Sequence, residues 1–154
     1  MPGAFKKRPQ MFLLAIVPNP EVQMKRVQTT LSSAQLLALR ASPVQLLAAP
    51  GPNKFYNVLG CTAVYIAGAT PYNLNGNLFL LIGPALYGWT FPYLVGLLDE
   101  AFDTLVMTTP SGYPHPASQG VNVPLTITVD GASELLSGDG TVLVILHYTI
   151  ESTS

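Results

Sequence analysis

Apolar residues in this chain come in short runs cut by Gly and Pro, and several of the runs keep the two-residue period of a half-buried strand. Val121, Val123, Leu125, Ile127 and Val129 occupy alternate positions and predict a strand over 121–129 with one apolar face. Residues 22–30 alternate as well. Val22, Met24, Arg26 and Gln28 tend to one side and Gln23, Lys25, Val27 and Thr29 to the other, which predicts a strand and leaves its inner face ambiguous. Phe55 to Ala67 is the longest β-branched and aromatic run, with Val58, Val64, Tyr65 and Ile66, and reads as a central strand bent at Gly60.

The remaining pieces follow the same punctuation. Pro43 opens a strand over Val44 to Ala48, and Pro50, Gly51, Pro52 and Asn53 make a turn. Gly68 to Asn77 is a polar loop whose Asn75-Gly76 is a hairpin signal, so Leu78 to Ile82 is expected as the returning strand. Leu105 to Thr108 and Thr141 to Ile150 are further strands, the latter following the Gly138-Asp139-Gly140 turn. Two short helices are expected: Ala34 to Leu39, capped by Ser32 or Ser33, and Tyr93 to Phe102, with Asp99 and Glu100 on its wet side.

In residues 1–20, Pro2, Pro9, Pro18 and Pro20 block helix, and only Met11 to Val17 is strand-like. This segment reads as an extended N-terminal arm that lies on a neighbour, ahead of a single domain over 21–154. The basic start followed by an apolar run imitates a secretory signal. The run is barely long enough, however, and no small-residue cleavage site follows it. The expected fold is all-β: a jelly-roll-like antiparallel β-sandwich of about seven to eight strands with short helical turns.

Charge changes the picture from fold to association. Charged residues are 10% of the chain, where soluble domains carry about 25%, and none lies between Lys54 and Asp99. Uncharged surface on that scale marks contact with protein or membrane. Leu78 to Leu98 is long enough for a membrane span, but Gly83, Pro84, Gly88, Pro92 and Gly96 interrupt it too often, so no membrane is expected and an obligate oligomer is. All seven basic residues lie in the first 54 positions against one acid, Glu21, leaving +6. From Asp99 onward the chain carries −7. A basic front and an acidic back suit attraction between subunits. The basic residues are too sparse, and lack interleaved aromatics, for nucleic acid.

Chemistry is hard to assemble from what remains. The histidines, His115 and His147, are far apart, no Gly-x-Ser-x-Gly elbow occurs, and the lone Cys61 sits inside a strand as a small buried filler. Asp99, Glu100 and Asp103 read as a solvated helix end rather than cation ligands. Ser137 to Thr141 lacks the acidic spacing and closing Glu of a calcium loop, and reads as a tight turn. Phosphate loops, dinucleotide fingerprints and CxxC pairs are absent. The expectation is a protein that is not an enzyme, with no cofactor, no metal and no small-molecule substrate. The residues expected to make contacts are Lys6, Lys7, Arg8 and Phe12 in the arm, and Tyr87, Trp89, Tyr93 and Tyr113 in the body.

Two stretches carry a resemblance. LSSAQLLALRASPVQLLAAPGPNKFYNVLGCTAVYIAGATPY, Leu31 to Tyr72, and VNVPLTITVDGASELLSGDGTVLVILHYTI, Val121 to Ile150, together cover about half the chain. They resemble the small virion structural proteins of phages that act as capsid cement or decoration proteins. That resemblance implies a β-sandwich on the phage head surface, commonly a homotrimer, whose partners are itself and the major capsid protein and which stabilises the shell by bridging capsomers. A tail, baseplate or host-recognition module is the alternative. The arm over 1–20 and the segment Gly83 to Phe91 depart from the plainer pattern, and these are the places to look for the docking mode.

Overall fold

The two longest apolar runs become the two longest strands, and they lie side by side. In the computed structural model, which describes residues 23–73, 77–83, 97–109, 120–129 and 134–153, the elements are β1 (Lys25–Leu31), α1 (Ser33–Leu37), β2 (Val44–Leu47), β3 (Lys54–Ile66), β4 (Leu78–Ile82), β5 (Thr104–Thr108), β6 (Leu125–Val129) and β7 (Thr141–Ser152). β3 pairs with β7 antiparallel along almost its whole length, from Lys54 opposite Ser152 to Ile66 opposite Thr141. The register slips once, between Val58 and Gly60, so the bend expected at Gly60 is a β-bulge.

Two antiparallel sheets result, a four-stranded one in the order β1-β7-β3-β5 and a three-stranded one in the order β2-β6-β4. Among the described strands each successive one changes sheet, so none pairs with its neighbour in sequence. This interleaving overturns one expectation. β4 does not return along β3 as a hairpin, because both edges of β3 are occupied, by β7 and by β5. The chain instead crosses at the buried Tyr72, and β4 pairs with β6 in the other sheet.

The core fills the space between the sheets. Leu31 of β1, Cys61, Ala63 and Tyr65 of β3, and Val142, Val144 and Leu146 of β7 face Leu46, Leu78, Leu80, Leu125 and Ile127 of the smaller sheet, all buried. Each fully buried Leu or Ile contributes roughly 1.5–3 kcal/mol relative to exposure. The register also settles the inner face of β1. Lys25, Val27, Thr29 and Leu31 pair with Tyr148, Leu146, Val144 and Val142, the core-facing residues of β7, so Arg26, Gln28 and Thr30 point outward.

α1 forms where its cap predicts. Ser32 Oγ accepts from the Gln35 backbone N–H at 3.3 Å, and Gln35 Oε1 accepts from the Ser32 backbone N–H at 3.0 Å, a reciprocal box that anchors the turn carrying buried Leu36. The helix ends at Leu37, earlier than the expected Leu39. Just beyond it, the Glu134 carboxylate accepts from the backbone N–H groups of Arg40 and Ala41, at 3.0 and 2.7 Å.

Two further expectations are corrected. The part of the proposed Tyr93 to Phe102 helix that is described, 97–102, is not helical. Adjacent Leu97 and Leu98 both enter the core, Leu98 O accepts from the Tyr72 N–H at 3.1 Å, and Asp103 accepts from the Ala67 N–H at 2.9 Å, so the segment is bent to the sandwich. The strand predicted over 121–129 begins only at Leu125. Pro124 offers no N–H and Asn122 adopts φ 54°, and Val121 instead bridges Phe55 at the start of β3.

Candidate interaction surface

The outer face of the four-stranded sheet is the surface that stands out. The register aligns Thr30, Leu143, Val64 and Leu105 in one row across the strands, and Gln28, Ile145, Thr62 and Met107 in the next. Met107 is 74% exposed, Leu105 55%, and Ile66, one row further on and opposite Thr141, 49%. Leu143, Ile145 and Val64 are part-buried between them. Charge is confined to the margins, with Arg26 on edge strand β1 and Glu151 near the end of β7. Toward that end the face closes over, and Thr149 is buried with its hydroxyl donating to Glu151 at 2.6 Å.

The bulge shapes the face. At its centre Gly60 lies opposite His147, and next to Met107, Thr108 and Thr109 it leaves an open hollow of about 320 Å³. Cys61 lies at the base of the hollow but belongs to the core: it is 2% exposed, and burial pushes its thiol up to about 12. A thiol held neutral in this way is a filler and not a nucleophile. His147 sits on the sheet surface beside Gly60 with Arg26 across from it on β1.

A second constellation is structural. The loop before β7 is latched to the loop after β3, with Asp139 Oδ1 accepting from the Thr70 N–H at 2.8 Å and the Tyr72 hydroxyl donating to Gly140 O at 2.7 Å. Gly138, at φ 112°, and Gly140 are obligatory, because a Cβ would lie 2.2 Å from the Tyr72 ring or 2.4 Å from the Tyr65 ring. The Gly-Asp-Gly turn is thus a latch. The buried Tyr65 hydroxyl has no partner of hydrogen-bonding geometry among the described residues, although the Gly68 backbone lies near it and both Asp139 and Asp103 raise its pKa after desolvation.

Asp103 and Asp139 accept backbone N–H groups of the loop after β3, at Ala67 and Thr70, and Glu134 accepts those of Arg40 and Ala41; Asp99 is exposed, and no group of three potential metal ligands gathers among the described residues. Among the described residues, no helix is long and apolar enough to cross a membrane.

The contact residues expected from sequence, Lys6, Lys7, Arg8, Phe12, Tyr87, Trp89, Tyr93 and Tyr113, all lie outside the described residues, as do the strand-like Met11 to Val17 and His115. The outward residues Leu105, Met107, Ile66, Leu143 and Ile145 were not singled out in the sequence. A signal for them exists. In β7, TVLVILHYTI, apolar residues occupy both parities, whereas a strand buried on one face needs only one.

No protein-family description and no curated protein matches this chain. Among solved structures, a chain of the "Cyanophage Pam1 capsid asymmetric unit" is similar over 97% of this chain and 99% of its own, at 17% identity and a TM-score of 0.48.

Proposed function

We propose that this chain is a virion structural protein: a capsid cement or decoration subunit that oligomerises and stabilises the shell by bridging copies of the major capsid protein on the phage head surface. The observation that carries the reading is the outer face of the four-stranded sheet, whose central rows are apolar or uncharged while Leu105, Met107 and Ile66 remain half-exposed or more. Such a face is stable when other protein covers it, and association is the work it supports. The virion setting comes from the resemblance carried by Leu31 to Tyr72 and Val121 to Ile150.

On this reading each contact is modest, and many symmetry-related copies tie the shell together through avidity. The arm over residues 1–20, with Lys6, Lys7 and Arg8, supplies the link to a capsid neighbour. The test is imaging of particles incubated with the full chain and with a chain lacking residues 1–20. The full chain is expected to add symmetric density over the shell, and the truncated chain to stay folded and oligomeric while binding poorly. Density confined to the tail, or none at all, overturns the cement reading. Normal decoration by the truncated chain removes the arm's role.

A further inference from the structure

We infer that the outer face of the four-stranded sheet is covered by the same face of a second copy of this chain. The inference deepens the association reading above and rests on it only for the premise that the face is covered.

Three observations choose a copy of itself as the occupant. The first is charge. When two identical faces meet about a twofold axis, residues near the axis meet their own copies, and a central charge there would confront like charge and weaken the contact. Here the rows Thr30, Leu143, Val64, Leu105 and Gln28, Ile145, Thr62, Met107 carry no charge, while Arg26 and Glu151 stand at the margins. The described charges at Arg40 and Asp99 sit in loops off these rows, and the carboxylates of Asp103 and Asp139 are engaged by the Ala67 and Thr70 N–H groups.

The second is shape. The same face carries projecting groups, Leu105 and Met107, and a hollow at Gly60 beside His147 and Thr109. A contact between copies needs one surface to supply both knob and hole, because each residue that inserts must also have a place that receives. Adding only a Cβ at Gly60 would meet nothing closer than Thr108 O at 3.7 Å, so the hollow is open to a side chain from outside.

The third is area. β1 and β5 are 7 and 5 residues long, and the uncovered lengths of β7 and β3 run from Thr141 to His147 and from Gly60 to Ile66. At ~3.4 Å per residue and ~4.8 Å between strands these give a projected area of roughly 450 Å² per copy. Two faces together approach the ~1,000 Å² expected of a specific interface before the relief of the side chains is counted. The contact is therefore large enough to form between copies, and a smaller peptide would leave part of the face bare.

Solution mass measurement on the full chain tests this, with Leu105→Glu, Met107→Glu and, as control, Leu136→Glu. Leu136 is also 55% exposed but lies off this sheet, bridging Asn73. The unaltered chain and L136E are expected to be oligomeric, and L105E and M107E to raise the dissociation constant at least tenfold, with near-ultraviolet circular dichroism unchanged. Should the Glu variants fail to fold, Leu105→Thr combined with Met107→Gln keeps strand propensity and is expected to weaken association in the same direction. A monomeric unaltered chain, variants that keep the parent mass, or L136E dissociating equally overturns the inference. Particle binding separates the two readings. Dissociation by L105E and M107E in a protein that binds no particle leaves the inference standing and the virion role refuted. Decoration by variants of undiminished mass does the reverse.

Discussion

Cys61 shows how a single residue can look like chemistry and serve as packing. In sequence it is the only thiol, flanked by Gly60 and Thr62. In the fold it is 2% exposed beneath the bulge, and desolvation moves its pKa from 9.0 to about 12. Burial pushes Tyr72 up to about 12 as well, with smaller increments from Tyr65 and Asp139. Both groups are neutral when protonated, and their folded pKa values lie above the unfolded ones. The unfolded chain therefore releases protons first, and stability is fully present below about pH 9 and lost as pH rises toward 12. Denaturant midpoints measured across that range should fall, and Cys61→Ala should flatten the decline. Below pH 9 the thiol should remain unreactive toward alkylating reagents until the protein unfolds.

At the scale of elements, the latch between β3 and β7 matters most. Gly138, Asp139 and Gly140 read in sequence as a turn; in the fold the bend is at Ser137, and the segment after it is held from outside by Thr70 and Tyr72, nearly seventy residues earlier in the chain. Because a Cβ at Gly140 would lie 2.4 Å from the Tyr65 ring, Gly140→Ala should destabilise by about 1–3 kcal/mol through overpacking, read as a lowered urea midpoint with unchanged slope. An unaltered midpoint would mean that Tyr65 shifts freely and the latch is soft. Elements defined by local chemistry were well marked. The Ser32–Gln35 box begins α1, and Pro43 precedes β2. Elements whose ends depend on distant partners were not, as with 97–102, pulled from helix by Leu97, Leu98 and Asp103, and with the start of β6, displaced by Asn122 and Pro124.

For the whole molecule, interleaving of the sheets has a kinetic consequence. Since none of the described strands pairs with its sequence neighbour, and β1 and β3 must both find β7 at the far end of the chain, loop-closure entropy is spent before most pairings form. Refolding from denaturant should therefore take milliseconds to seconds, as followed by stopped-flow fluorescence. Microsecond folding would contradict the dominance of non-local pairing. The candidate surface is a product of the same arrangement. Val64 on β3, Ile145 on β7 and Met107 on β5 are far apart in sequence, and only the order β7-β3-β5 sets them on one face.

By itself the sequence determined the strand class, the capped helix, the turn at Pro50 to Asn53 and the shortage of charge, because each depends on period, backbone preference or composition within a few residues. Tertiary structure alone decided which parity of β1 is inward, that β4 leaves β3 for the other sheet, and that an uncharged apolar face is assembled from strands β3, β5 and β7. A side chain's parity places it on one of two faces, and which face meets the core is set by the strands it pairs with, through contacts that span the chain.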